Sequence, residues 1–261
     1  MNKCMTKGGY SQNMYTASVF GAATDVGIVR KNNEDSYSFL RSKDKRFVLL
    51  IIADGMGGHS YGEIASQIAV QYSTYVIDNS FREDMTDQEI LEMLGNAVEA
   101  ANIQVELETK LKPEMSGMGT TLTIGLIINY KFYIAHVGDS RIYLLRNDKF
   151  YQLTKDDTYV QTLVDSGELD ADLADSHPQH NLLTKAIGSP EQICPELIQY
   201  TLNSSDKILF CTDGLYDALS NYEIKNILSK ETDPDICANK LVNKTLENGA
   251  PDNVTVIVGF I

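Results

Sequence analysis

Two apolar runs in this chain end in the same dipeptide: Phe47-Val-Leu-Leu-Ile-Ile-Ala53 leads into Asp54-Gly55, and Lys207-Ile-Leu-Phe-Cys-Thr212 leads into Asp213-Gly214. A carboxylate at the end of a buried strand is held rigidly, and the glycine after it lets the backbone turn or approach a ligand closely. One Asp-Gly is ordinary turn chemistry. Two of them, each closing an apolar run, suit a metal-ligating role. Three more carboxylates stand in comparable places: Asp139 in Val137-Gly-Asp-Ser-Arg141, Asp217 four residues after Asp213, and Asp252 just before the apolar run Val254 to Phe260. If these strand ends converge, five like charges share one small volume and need cations to remain ionised together. An all-oxygen ligand set selects Mg or Mn over zinc or copper. Two such ions about 3.5–4 Å apart lower the pKa of a water between them and hold it for in-line attack on phosphorus.

Other hydrolytic routes are checked directly. A cysteine phosphatase needs Arg six residues after its Cys, and the positions six after Cys4, Cys194, Cys211 and Cys237 hold Tyr10, Tyr200, Asp217 and Asn243. The chain has no GxxxxGK[ST] phosphate loop and no HExxH zinc motif. Near the N-terminus, Arg30-Lys-Asn-Asn-Glu-Asp35 places a cation and two carboxylates in six residues. Alone this reads as a mixed-charge surface turn. Beside a metal centre, Arg30 would fork onto two phosphate oxygens in a geometry that Lys does not offer.

These side chains need strands to position them. Ser36 to Leu40 leads through the charged turn Lys43 to Lys45 into Phe47 to Ala53, Thr120 to Ile128 turns at Asn129 into Lys131 to Val137, and Ser140 to Leu145 turns at Asn147-Asp148 into Phe150 to Leu153. The connections are too short for a crossover helix, so the pairs read as antiparallel hairpins. Helical periodicity covers Tyr61 to Ile77 and Asp87 to Leu111; in the second, Ile90, Leu94, Ala97, Ala101 and Val105 share a face, and Thr86 with Glu89 forms a capping box. Asn221 to Leu228 and Asp235 to Leu246 are helical again, before a final strand over Val254 to Phe260. Hairpins and helix pairs in separate blocks indicate an α+β layering. The segment from Lys155 to Gly188, with a short helical pattern over Tyr159 to Val164, reads as a partly helical surface loop of the kind that recognises substrate.

Composition narrows the classes. The hydrophobic fraction of 43% over 261 residues supplies one sizeable core, so residues 1–261 are expected to form a single domain. A net charge of -14 argues against wrapping nucleic acid or docking on anionic lipid. The longest apolar run, Phe47 to Ala53, is far short of the roughly 20 residues that span a bilayer. Met1 to Tyr15 is polar, reads as a flexible segment and lacks a secretory signal, which points to the cytoplasm. The scattered cysteines read as reduced thiols.

Taken together and in order, Arg30-xx-Asn33-Glu34-Asp35, Asp54-Gly-Met-Gly-Gly58, Gly119-Thr-Thr121, Val137-Gly-Asp-Ser-Arg141, Leu183-Thr-Lys-Ala-Ile-Gly188, Thr212-Asp-Gly-Leu-Tyr-Asp217 and Asp252-Asn253 resemble the motifs of the metal-dependent type 2C protein phosphatases, above all their single-domain bacterial members. The resemblance covers about residues 19 to 261. It implies a four-layer α-β-β-α sandwich, two mainly antiparallel sheets flanked by helix pairs, with a metal cleft at one end and residues 155–188 as a flap-like subdomain. It implies that Asp54 bridges two metals, that the Gly55 carbonyl binds the second, and that Asp213 and Asp252 complete the first. Glu34 and Asp35 would act through metal-held waters, Arg30 would hold the phosphate, and Asp139 with Asp217 would hold a third, weaker ion. The expected reaction is hydrolysis of phosphoserine and phosphothreonine in proteins with Mn2+ or Mg2+, in a monomer opposed to a cognate serine/threonine kinase. The alternatives are a two-metal phosphatase of small esters and a non-catalytic phospho-binding module. Met56 stands where many eukaryotic members carry a His, which leaves a metal-held water or His59 as general acid. Asp156-Asp157-Thr158 and His177-Pro-Gln-His180-Asn181 depart from the bacterial Asp-His-Ser and His-Pro-x-Arg-Asn, implying a changed substrate choice with unchanged metal chemistry.

Overall fold

A computed structural model of the protein describes residues 19–42, 47–57 and 61–261. The expectations for Met1 to Tyr15, the turn Lys43 to Lys45, Gly58 and His59 lie outside the described residues. Among the described residues, eleven strands form two antiparallel sheets. The first has the order β1 (Val19–Asp25), β11 (Val254–Phe260), β10 (Lys207–Cys211), β7 (Arg141–Arg146), β8 (Lys149–Gln152). The second runs β2 (Asp35–Ser42), β3 (Phe47–Met56), β5 (Leu122–Ile128), β6 (Lys131–Val137), β9 (Glu196–Thr201), with the two-residue β4 (Gly119–Thr120) on the end of β3.

The apolar run of β3 is continuous because both its faces are buried. Val48, Leu50 and Ile52 point into the space between the sheets, against Phe132, Ile134, Ile142, Leu144, Phe210 and Ile257. The alternate residues Phe47, Leu49, Ile51 and Ala53 meet α1 (Gly62–Ser80) and α2 (Asp87–Leu111) on the outer face. On the other side, α5 (Asn221–Lys230) and α6 (Pro234–Glu247) cover Leu209, Cys211, Val254, Val256 and Val258. Three apolar layers between four structural ones give the expected α-β-β-α sandwich.

Local chemistry fixes the element ends. The Thr86 hydroxyl accepts from Glu89 N while Glu89 Oε2 accepts from Thr86 N, so the capping box read from sequence starts α2. A second such box, Ser220 with Glu223, starts α5. The β5–β6 and β7–β8 turns carry Asn129-Tyr130 and Asn147-Asp148 at positive φ, which matches the right-handed twist of the flanking strands. Two edge strands, β1 and β9, are absent from the sequence reading.

The segment after β8 leaves the sandwich, forms α3 (Tyr159–Ser166) and a 3-10 turn over Ala171–Ser176, and returns beside its own start. Thr184 N donates to Asp157 O at 2.8 Å, and Thr158 bridges Leu183. Its far end is pinned to α2, where buried Asn102 accepts from Gly188 N and donates to Ser189 O. Among the described residues no helix is long and apolar enough to cross a membrane, and Cys194, Cys211 and Cys237 are free.

Candidate metal centre and active site

The open end of the sandwich holds a cleft of about 420 Å³ lined by Arg30, Glu34, Asp54, Gly55, Thr121, Asp139, Asp213, Asp252 and, from the returning segment, Asn181 to Leu183. Four of the five carboxylates singled out in the sequence therefore face one space. The fifth does not. Asp217 is exposed and lines a neighbouring cavity of about 190 Å³ with Arg141, Asp156, His180 and Tyr216.

Asp54 is not beyond its strand. β3 runs on to Met56, because at Gly55 it exchanges its partner β5 for β4, pairing Gly55 with Thr120 and Met56 with Gly119. Thr121 donates its amide to Asp54 O at 2.9 Å and its hydroxyl accepts from Asp54 N at 2.8 Å, so Asp54 is clamped on both sides of its own peptide. The glycine is needed for contact: a β-carbon on Gly55 would stand 2.2 Å from Gly62 O at the start of α1. Gly55→Ala is expected to cost more than about 2 kcal/mol of stability, read by urea unfolding, because neither backbone can move aside.

Asp35 opens β2 directly opposite Asp54 in the register. Like charges in that position repel. The Asp35 carboxylate is braced by Thr212 and Thr255 hydroxyls, which donate to Oδ2 at 2.9 and 2.6 Å, while its buried Oδ1 has no protein donor. Burial pushes Asp35 up to about 7 against those two hydrogen bonds, with Asp213 adding to the rise. Asp213 begins a single helical turn, α4 (Asp213–Tyr216), immediately after β10. Burial and the neighbouring Asp217 and Asp252 raise it to about 7, and its buried Oδ1 also lacks a donor. Asp54 and Asp139 stand well above the ordinary carboxylate range, through burial first and the field of Asp213 second.

Arg30 and Asp252 meet each other. Nη2 of Arg30 donates to Asp252 Oδ2 at 2.6 Å, with side chains 51% and 32% exposed. An ion pair this open is worth at most about 1 kcal/mol, so little holds Arg30 in this position. Glu34 is raised by burial, with Arg30 opposing. Asn253 ties these residues to the sandwich: Oδ1 accepts from Glu34 N, and Nδ2 donates to Val26 O and Asn32 O.

Among the described residues no three His, Cys, Asp or Glu side chains are closed together tightly enough to hold an ion as they stand. Asp252 is turned to Arg30, and burial and neighbouring carboxylates raise the proton affinities of Asp54, Asp139 and Asp213. The donor set still fits hard divalent cations: all oxygen, crowded, and with two buried carboxylate oxygens left without donors.

A family model for protein phosphatase 2C matches residues 29–243. The chain belongs to the protein phosphatase 2C family. It is 40% identical over 245 residues to the serine/threonine protein phosphatase PstP of Mycobacterium tuberculosis, covering 93% of this chain and 45% of that relative, so it spans about half that protein's length. It is 34% identical to the serine/threonine phosphatase stp of Listeria innocua, covering 90% of this chain and 92% of the relative. Among solved structures, the PstP catalytic domain in complex with two manganese ions superposes with a TM-score of 0.79 at 37% identity, covering 93% of this chain and 97% of the other. The family members' fold is the one described above, and the sequence expectation for the fold class stands.

The side chains that brace the acidic residues have no role in the sequence reading: Thr212 and Thr255 on the Asp35 carboxylate, Thr121 on the backbone amide of Asp54, and Asn253 on that of Glu34. Thr in a strand is ordinary by type, and only the register shows which of them faces a carboxylate.

Proposed function

We propose that this chain hydrolyses phosphoserine and phosphothreonine in proteins, in a reaction dependent on manganese or magnesium. The observation that carries the reading is the convergence of Asp54, Asp139, Asp213 and Asp252 with Arg30 on one cleft, in a chain whose family includes serine/threonine phosphatases of Mycobacterium tuberculosis and Listeria innocua.

Asp54, the Gly55 carbonyl, Asp213 and Asp252 would hold two cations; Asp139 would hold a third, weaker one, with Asp217 joining it only by turning in from the neighbouring cavity. When bound, such ions supply a nucleophilic water at neutral pH and neutralise the charge on the phosphoryl group. The chain's own groups do the rest. Arg30 releases Asp252 and forks onto two phosphate oxygens, holding the phosphorus in line. Glu34, at the cleft wall, and Asp35, behind Asp54, orient water by accepting its hydrogens. Asn181 to Leu183 close over the cleft and restrict water. Residues 155–188 would serve as a substrate-facing flap on a single domain, in a monomer that acts in the cytoplasm against a cognate kinase.

A phosphothreonine peptide and a panel of sugar phosphates, assayed with and without added manganese, test the reading. Manganese-dependent turnover of the peptide at the higher kcat/KM is expected; equal or better turnover of the sugars would make this a small-ester phosphatase, and binding without turnover would make it a phospho-reader. Asp139→Ala is expected to lower turnover about tenfold to a hundredfold while calorimetric titration still counts two manganese ions. Loss of all binding would show that Asp139 belongs to the main pair.

A further inference from the structure

Arg141 lies beside the cleft, outside the set of carboxylates and the phosphate-binding arginine. It starts β7, two residues after Asp139, and only 14% of its side chain is exposed. A guanidinium so enclosed needs protein partners for its charge and its donors. Nε donates to Asp156 Oδ1 at 3.1 Å and Nη2 to Oδ2 at 2.6 Å, and Nη1 donates to Tyr143 OH at 3.1 Å. Its Cζ sits over the ring of Tyr216, 3.6 Å from the centroid. Asp156 is itself 9% exposed and accepts a further bond from Gln152 Nε2.

Two of the three partners of Arg141, Asp156 and Tyr216, belong to different parts of the fold. Asp156 and the next residue form the root of the excursion that supplies Asn181 to Leu183 to the cleft; Asp157 N donates to Gly138 O at 2.7 Å and Asp157 Oδ2 accepts from Gly138 N. Tyr216 ends the helical turn that begins at Asp213 and precedes Asp217, and its hydroxyl donates to the backbone oxygen of Asp139 at 3.1 Å. One planar cation thus joins the root of the covering segment to the turn that carries two of the acidic side chains.

We infer that Arg141 is a positioning residue that sets the covering segment over the cleft, through its forked bond to Asp156, in register with the Asp213–Asp217 turn, through Tyr216. The planar fork is essential. Lys at this place keeps a charge but neither grips both oxygens nor stacks on the ring. The kinetic consequence rests on the phosphatase reading proposed above; the structural consequence does not.

The test is a pair of readings on Arg141→Lys and Asp156→Asn in the whole chain. Losing a hydrogen bond between charged groups is expected to speed amide hydrogen exchange about tenfold across residues 159–187, with the amides of β3, β5 and β6 unchanged. In the same variants KM for a phosphothreonine peptide is expected to rise about tenfold with kcat falling less than threefold, and the double variant is expected to be no worse than Arg141→Lys alone. Tyr216→Phe, which leaves the fork intact, is expected to lower kcat and leave KM and the exchange of 159–187 alone. Exchange in 159–187 equal to that of the parent protein would overturn the inference. So would exchange accelerated equally throughout the sandwich, which marks a merely structural ion pair. If the parent protein turns over no phosphopeptide, the phosphatase reading falls and the exchange comparison still decides the role of Arg141.

Discussion

Asp213→Asn is expected to abolish manganese-dependent turnover, by more than about a hundredfold, and at the same time to raise the melting temperature of the chelator-treated protein. The first half follows from loss of a proposed ligand, since even outer-shell partners of a metal site cost about 10- to 100-fold. The second follows from crowding. Asp213 sits beside Asp54, Asp217 and Asp252, and burial, then Asp217 and Asp252, raise its proton affinity to about 7 against a hydrogen bond with Asp54. An amide removes that charge, and its Nδ2 can donate to the Asp54 carboxylate. Activity and metal-free stability should move in opposite directions, as they do where function imposes strain. Turnover within tenfold of the parent protein, or a melting temperature lowered without metal, would contradict this account.

The second large effect is on pH. Asp35 and Asp213 are both raised to about 7 in the folded chain, from an ordinary value near 4. A carboxyl whose affinity for protons rises on folding stabilises the protein fully below the unfolded value, and that contribution is lost as pH climbs through the folded one. The chelated protein is therefore expected to lose stability as pH rises between about 4 and 7. The loss should amount to a few kcal/mol, because each tenfold change in proton affinity is worth about 1.4 kcal/mol. Cation binding displaces the same protons, so the melting shift produced by fixed excess manganese should grow across that window. Calorimetric scans at pH 5.5, 6.5 and 7.5, each with and without manganese, measure it. A manganese shift independent of pH would mean that these carboxylates are already ionised.

Much of the site was legible in the sequence, for physical reasons. β3 is apolar on consecutive residues because Val48 and Leu49 face different cores, and a carboxylate that breaks such a run is conspicuous. The helices α1 and α2 carry clear periodicity over long spans, and Thr86 with Glu89 marks a start that the structure reproduces. The edge strands were not legible. β1 is half-exposed and includes Gly21, where a β-carbon would meet Asp235 N at 2.4 Å, so its composition reports contact with α6 instead of strand propensity. β9 alternates between intermediate and exposed positions and carries Glu196, Gln199 and Thr201, which blurs its apolar face. The direction taken by Asp217, away from the main cleft, was equally hidden: four residues after Asp213 does not fix its side when α4 is a single turn.

Because Thr184 returns to within hydrogen-bonding distance of Asp157, the chain between them is a detour whose exit and entrance are already joined. Lengthening or shortening it around Glu168 to Ser176 leaves the separation of its ends unchanged, and doubling such a loop costs only about 0.6 kcal/mol in closure entropy. Selection can therefore rewrite this stretch, in sequence and in size, while the acidic cage beneath it keeps its dimensions. New recognition properties can be acquired by grafting, without re-engineering the hydrolytic apparatus.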